Sequence, residues 1–229
     1  EIHKEKLQAL DIEALSRRHP EIRFLILSKQ VTQGERVNAG IEEAKGEFVL
    51  VLWNDMQVDA GFNPRVFESL VKEPSLCVAP ALQNQRREPM PVVEVPALYR
   101  RRLKIVPTVP TSERVPTIFP FDYSGLYRKE AFVLTGGFDH LLVNPYWQKL
   151  DFGFRAFMWG EQILCSKSFK MRYLSEPPTE DTSHDESYRI FFLKNLAVRF
   201  SRDIGRLPVG KLPSYLMRSG GDFIIVMFG

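Results

Sequence analysis

Apolar residues recur along the chain in short blocks whose spacing alternates between helical and strand-like. Leu7, Leu10, Ile12 and Leu15 stand among charges near helical spacing. They predict a helix over residues 4–18, ended by His19-Pro20. The run RFLIL at 23–27 predicts a short strand. Gly34, Val37, Ile41 and Ala44 predict a second helix with Gly46 at its C-terminal cap. Residues 48–53 (FVLVLW) lie between Gly46 and the polar break Asn54-Asp55, as a buried strand would. Strand, helix, strand is the βαβ unit of a parallel sheet. A helix over 62–72, with Phe67, Leu70 and Val71 inward, and a strand at 76–79 follow.

The texture changes between 83 and 120. Seven prolines (Pro89, Pro91, Pro96, Pro107, Pro110, Pro116, Pro120) interrupt this stretch, and Arg100, Arg101 and Arg102 make it locally basic. Such proline density argues against central strands and predicts a loop excursion with a helix near Tyr99. The pattern then resumes with a strand at 123–127, a short helix at 129–135 and the tight turn Gly136-Gly137-Phe138-Asp139. A helix over 146–160 follows, with Leu150, Phe154, Phe157 and Met158 on one face and Asp151 four residues before Arg155. A strand at 171–174, an acidic proline-containing loop to His184 and an amphipathic helix over 188–200 complete it. The apolar run 223–228 suggests a late strand, and no internal repeat is visible. Alternating elements of this kind predict an α/β fold with a mixed, mainly parallel central sheet flanked by helices.

Composition narrows the class. The 229 residues are 44% hydrophobic and 26% charged, ordinary for a globular protein. A formal net charge of +3 gives no argument for a nucleic-acid partner. Two distant cysteines, Cys77 and Cys165, argue against a disulfide scaffold or zinc centre and suit a reducing compartment. No apolar run approaches the ~20 residues that span a bilayer. The chemically suggestive residue is Asp55, a carboxylate at the C-terminal end of a buried strand, where open α/β sheets hold ligands.

Four motifs in order extend that suggestion. Gly34, Asn38, Gly40 and Gly46 precede the strand ending Trp53-Asn54-Asp55. Gly136-Gly137-Phe138-Asp139 follows, then Asp151, Arg155 and Gly160, then His184 and Ser187. Over most of residues 24–200 this series resembles a family 2 inverting glycosyltransferase with the GT-A fold. The resemblance implies a nucleotide-sugar donor, a glycan or lipid-linked acceptor, and Mn2+ or Mg2+ at the donor pyrophosphate. It assigns the metal to Asp55 and His184, and the donor phosphates to Asn38, Asn54, Asp55 and Arg155. On the acceptor side it places Trp147, Gln148 and Lys149, with Asp151 or Asp139 as the general base. A cytoplasmic location, or one at the inner face of the membrane, goes with it.

Three departures qualify the resemblance. Trp53 stands where the family's first metal-motif Asp often stands. The helix that in the family begins Glu-Asp-x-Asp here carries Gln148 and Lys149 at the first two positions, with Asp151 on the last. Gln takes no proton, and Lys is a base only with a pKa depressed from ~10.4 by several units. The family's first strand and its base-gripping loop also have no counterpart ahead of residue 23. The expected organisation is a GT-A-like domain over 1–200 and an extension over 201–229. The alternatives are a catalytically impaired module that binds glycan, nucleotide or a protein, and a peripheral membrane or polyanion binder acting through Arg100, Arg101 and Arg102.

Overall fold

The computed structural model describes residues 12–27, 30–59, 64–72, 74–99, 102–197, 199–201, 204–206, 208, 210 and 213. The basic side chains of Arg100 to Arg102, and the apolar run 223–228, lie outside the described residues. The chain divides into two compact units, 1–31 and 32–229.

The first unit contains α1 (Ile12–Arg18), whose end is marked by the His19 N–H donating to the Leu15 carbonyl at 2.9 Å. Residues 23–27, expected to be a strand, are exposed and form no ladder among the described residues. Apolar, β-prone residues do not make a strand without a neighbour to supply the cross-strand bonds.

The second unit is built on a mixed sheet. Its elements begin with α2 (Gln33–Glu43), β1 (Phe48–Val51), β2 (Met56–Val58), α3 (Pro64–Val71) and β3 (Cys77–Gln83). They continue through β4 (Val93–Tyr99), β5 (Arg102–Thr108), β6 (Val115–Pro116), β7 (Gly125–Arg128) and α4 (Lys129–Leu134). The last are α5 (Pro145–Met158), β8 (Ile163–Tyr173), α6 (Glu186–Phe191), β9 (Arg199–Ser201) and β10 (Ile204–Arg206). A π-helical turn, Phe192–Ala197, continues α6.

The central sheet runs β1-β7-β3-β8-β2, with β6 also on β8. The described parallel ladder is β3 with β8; β1–β7, β3–β7, β2–β8 and β6–β8 are antiparallel. β3 is buried along nearly its whole length, as an unbroken apolar run requires when both faces of a strand are covered.

Local chemistry sets the helices. A reciprocal capping box, Thr32 with Glu35, starts α2, and Val37 and Ile41 point into the core from one face. That helix caps at Ala44, two residues before the expected Gly46. In α3, Leu70 is buried but Phe67 faces outward, against expectation. Asn144 caps α5, its side chain accepting from the Tyr146 and Trp147 N–H groups, and Pro145 occupies the first helical position.

The proline-rich stretch is a hairpin rather than a helix near Tyr99. Among the described residues β4 and β5 form a ladder only with each other, Pro96 opposite Ile105 and Glu94 opposite Pro107. A two-stranded ribbon leaves each strand one unpaired edge, where a missing N–H costs nothing.

α5 lies between two cores. One face joins an aromatic cluster of Tyr123, Tyr127, Phe132, Phe138 and Phe152, with Phe138 and Phe152 ring centroids 4.6 Å apart. The other contributes Tyr146, Trp147 and Leu150 to a cluster with Phe119, Tyr188 and Phe191. Phe157 and Met158, expected on the buried face, are 76% and 64% exposed because the buried stretch ends at Ala156.

Close packing of α5 on the chain before the short 3-10 turn Phe121–Tyr123 leaves Gly153 no room for a side chain. A Cβ there would lie 2.0 Å from the Ile118 carbonyl oxygen. Gly153→Ala should destabilise the protein by about 1–3 kcal/mol or more. Gly40→Ala, on α2 with nothing within 4 Å of its Cβ, should stabilise by about 0.5–1 kcal/mol. Thermal denaturation of both variants checks this, and an unchanged Tm for Gly153→Ala would contradict the contact.

Candidate functional site

The Gly136-Gly137-Phe138-Asp139 turn is held by side chains from three places. The Asn38 amide brackets Phe138, accepting from its N–H at 2.9 Å and donating to its carbonyl at 2.8 Å. Gly136 and Gly137 have φ of +84° and +59°, which a Cβ would strain, and a Cβ on Gly137 would meet Asn38 Oδ1 at 2.7 Å. Arg155 donates to the Gly137 carbonyl at 2.6 Å and to the Thr135 carbonyl. Its Nε donates to Asp151 at 2.8 Å, the intrahelical pair expected from the spacing.

Gln148 completes the bracket. It is fully buried and satisfies all four of its hydrogen-bonding positions. Its Oε1 accepts from Tyr123 Oη at 2.7 Å and the Gly34 N–H at 3.2 Å. Its Nε2 donates to the Asp139 carbonyl at 2.8 Å and Thr32 Oγ1 at 3.2 Å. A glutamate offers no donor to that carbonyl unless protonated, which explains why an amide stands at a position the resemblance gives to an acid. Asn38 and Arg155, expected on donor phosphates, and Gln148, expected beside the acceptor, thus use their polar atoms on this chain's own backbone and side chains.

The two carboxylates expected as bases are also engaged. Asp151 is fully buried and accepts from Arg155, from Lys194 at 3.1 Å and from Asn195 at 2.8 Å. Burial tends to raise the Asp139 pKa, but Lys194 at 2.7 Å and the Leu141 N–H at 3.0 Å outweigh it and hold the carboxyl below its ordinary range. A carboxylate stabilised in its charged form is a weak proton acceptor. Trp147 is enclosed by Tyr146, Tyr188 and Phe191, and its indole N–H donates to the Ser183 carbonyl at 2.7 Å. That buries the ring rather than presenting it to an acceptor sugar. His184, exposed, stacks on Tyr188 with ring centroids 4.0 Å apart.

Asp55 is differently placed. β1 ends at Val51, and a turn closed by the Met56 N–H to the Trp53 carbonyl carries Asn54 and Asp55. Pairing of Met56 with Tyr173 sets this turn beside the end of β8. The Leu174 N–H donates to the Asp55 carbonyl at 2.7 Å, and the Ser175 hydroxyl donates to Asp55 Oδ2. Trp53 donates its indole N–H to the Asp122 carbonyl at 2.7 Å, so it anchors the neighbouring segment.

That segment was not legible as a site. Asp122 and Tyr123 adopt positive φ, 49° and 59°, an arrangement uncommon outside glycine and found where surrounding contacts enforce it. Asp122 accepts from Tyr173 Oη at 2.8 Å. Burial, countered by that bond, raises its pKa to about 6.

Beyond Asp122 a cleft of 800 Å³ opens between residues 84–91, the β4–β5 hairpin and the loop 176–182. Its walls include Glu94, Phe121, Tyr146, Glu176 and Glu180. Lys149, 2% exposed, reaches Glu180 across the faces of Phe119, Phe121 and Tyr123, 5.3–5.5 Å from each ring centroid. Lys149, Glu180 and Asp55 all act electrostatically on Asp122, and Lys149 and Glu180 act on Glu94 as well. The polar groups therefore form one series from the β1 end to the cleft. Burial, then the Glu180 charge, raise the Glu94 pKa to about 7, with Lys149 opposing.

Among the described residues no three His, Cys, Asp or Glu side chains converge on a cation position. Asp55 supplies hard oxygen, which suits a cation carried mainly by a ligand's phosphate oxygens.

No protein-family model matches the chain. No curated protein matches it. Solved structures do. The crystal structure of GalNAc-T7 with UDP, GalNAc and Mn2+ superposes with a TM-score of 0.56 at 13% identity, covering 96% of this chain and 46% of that one. S. aureus TarS 1-349 in complex with UDP-GlcNAc superposes with a TM-score of 0.54 at 14% identity, covering 82% of this chain and 54% of that one. The chain thus spans about half the length of each. The fold is the GT-A glycosyltransferase fold, a mixed sheet flanked by helices.

The bracket around residue 148 yields a test. Gln148→Glu should destabilise by about 1–3 kcal/mol at neutral pH, since its ionised form leaves the Asp139 carbonyl without a donor. Burial raises the folded-state pKa of such a carboxyl above its unfolded value, so the deficit should be smaller at pH 5 and grow as pH rises. Denaturant unfolding at pH 5 and pH 8 measures it, and a deficit independent of pH would contradict the bracket.

Proposed function

We propose that this chain is a glycosyltransferase of the family 2 type, moving a sugar from a nucleoside-diphosphate donor to a hydroxyl of a glycan or glycolipid with inversion. The observation that carries this is the placement of Asp55. It stands on the turn after β1, fixed by Leu174 and Ser175, at one end of a polar series that runs to an 800 Å³ cleft on a GT-A fold.

The pyrophosphate belongs at that end. Asp55 and His184 would hold a divalent cation, Mn2+ or Mg2+, which would supply positive charge to the departing diphosphate. The neighbours' bound UDP, UDP-GlcNAc and Mn2+ support this choice of ligand class. The cleft belongs to the acceptor, whose hydroxyl approaches from the side of Phe121 and Tyr146. Asp151 and Asp139, both held by Lys194, serve here as scaffold.

A second reading is favoured by the Gln148 and Lys149 positions, where the family's acid pair would stand. It takes the chain as a module that binds the same nucleotide without turnover.

Calorimetric titration with UDP and Mn2+ tests the shared premise. Asp55→Asn should weaken UDP binding in the presence of Mn2+ by about tenfold or more, the loss of one charge-assisted contact. Equal affinity in wild type and Asp55→Asn would remove Asp55 from the donor site. Turnover of UDP-GlcNAc or UDP-GalNAc by wild type decides between the two readings.

A further inference from the structure

The transfer proposed above needs a group to take the acceptor proton; the family's acid pair is replaced here by Gln148 and Lys149, and Asp139 and Asp151 are held by Lys194. Four carboxylates line the cleft: Glu88, Glu94, Glu176 and Glu180. Glu88 and Glu176 are exposed, and Glu88 accepts from the Asn84 amide at 2.6 Å. Glu180 is paired with Lys149, which occupies its carboxylate. Glu94 differs. It is 4% exposed, it lines the cleft, and among the described residues no side chain donates a hydrogen bond to its carboxylate. Its backbone is fixed: its N–H donates to Thr117 Oγ1 at 2.9 Å, and its carbonyl accepts from the Ile118 N–H at 3.0 Å. Thr117 Oγ1 in turn donates to the Phe119 carbonyl at 3.0 Å, so Glu94 is tied to the segment that leads into Asp122.

We propose that Glu94 is the general base of the reaction, and that Lys149 positions Glu180 as a fixed negative charge facing it. The inference rests on the glycosyltransferase reading. In the step, the acceptor O–H proton passes to a Glu94 carboxylate oxygen as the acceptor oxygen forms its bond to the anomeric carbon. The bond from that carbon to the β-phosphate oxygen breaks, and its electron pair leaves on the nucleoside diphosphate.

The electrostatic setting suits this work. The charged and titratable groups lining the cleft or acting on Glu94 are Glu180 and Glu176 from the loop, Lys149 and Tyr146 from α5, and Arg86 and Glu88 from the 84–91 turn. Among the described residues of β5, Ile105 and Pro107 contribute to the lining. Burial first, then Glu180, hold the proton on Glu94 up to about pH 7, so the base is poised near neutral pH, where proton transfer is most effective. A salt-bridged carboxylate such as Asp139 has no such affinity. A proline-rich hairpin that carries an internally facing Glu therefore has a chemical reason to be present.

Donor hydrolysis tests the assignment, with water standing in for the acceptor and UDP-GlcNAc and UDP-GalNAc as probes in the presence of Mn2+. Wild-type turnover should rise through about pH 7. Glu94→Gln should lower turnover by about 100-fold or more, abolish that rise and leave UDP affinity unchanged, as expected for loss of a general base. Glu94→Asp should recover part of the rate.

A structural readout accompanies the kinetics. A carboxyl whose folded pKa lies above its unfolded value loses stability as pH rises toward the folded pKa. Glu94→Gln should therefore raise Tm relative to wild type at pH 8 and not at pH 4. Turnover by Glu94→Gln within threefold of wild type, with the same pH profile, would overturn the role of Glu94 and leave the glycosyltransferase reading standing. UDP binding without wild-type turnover would do the same to Glu94 while keeping the nucleotide site. Absence of both binding and turnover in wild type would overturn the reading together with the base.

Discussion

The bracket on residues 135–139 is the constraint from which the rest follows. Two consecutive positive-φ glycines make a turn that a chain does not hold by itself. Asn38 from α2, and Gln148 and Arg155 from α5, hold it with hydrogen bonds to its backbone. Because Gln148 also bonds Thr32 and Gly34, the same contact fixes the start of α2 against α5. Phe138 is thereby pressed into the aromatic cluster with Tyr123, Tyr127, Phe132 and Phe152. Polar groups this deep must be fully paired, and Gln148 is; a half-satisfied version would be worse than an apolar core.

Much of the architecture was readable in advance, and the failures have physical causes. The short apolar run between Gly46 and Asn54-Asp55 marked β1, but the strand is shorter than expected and half-buried rather than buried, because it lies at the edge of the sheet. The i,i+4 spacing of Asp151 and Arg155 gave their pair directly. The proline density at 83–120 pointed away from strands because proline disrupts central ladders; it does not disrupt an isolated ribbon, and β4–β5 is one. Residues 23–27 had strand composition, but pairing depends on a neighbour that composition does not specify. Phe157 and Met158 matched a helical face, yet the core ends one residue before them.

The site was legible at Asp55 and less so elsewhere. Motif order brought Asn38, Gln148 and Arg155 into view as ligand-binding residues because, in a sequence, a side chain that binds backbone looks the same as one that binds a ligand. Glu94, Asp122, Ser175 and Glu180 went unseen for the converse reason. Each lies on a turn, hairpin or loop whose position relative to the cleft is set by pairings such as Met56 with Tyr173 and Glu94 with Thr117. The weak signals were an Asp between two aromatics before Ser124-Gly125, and an acid inside the alternating run 92–95. The lysine at position 149 is consistent with this division: with scaffold duty on α5, the acidic groups that line the cleft come from β4, the 84–91 turn and the 176–182 loop.

On the function proposed above, the turn at 135–139 is scaffold and the nucleotide binds at the β1 and β8 ends. Amide hydrogen exchange with and without UDP and Mn2+ tests it most directly. Slowed exchange at residues 53–58 and 173–176, with 135–139 unchanged, is the predicted result. Slowing confined to 135–139 and the start of α5, with 53–58 unaffected, would contradict it.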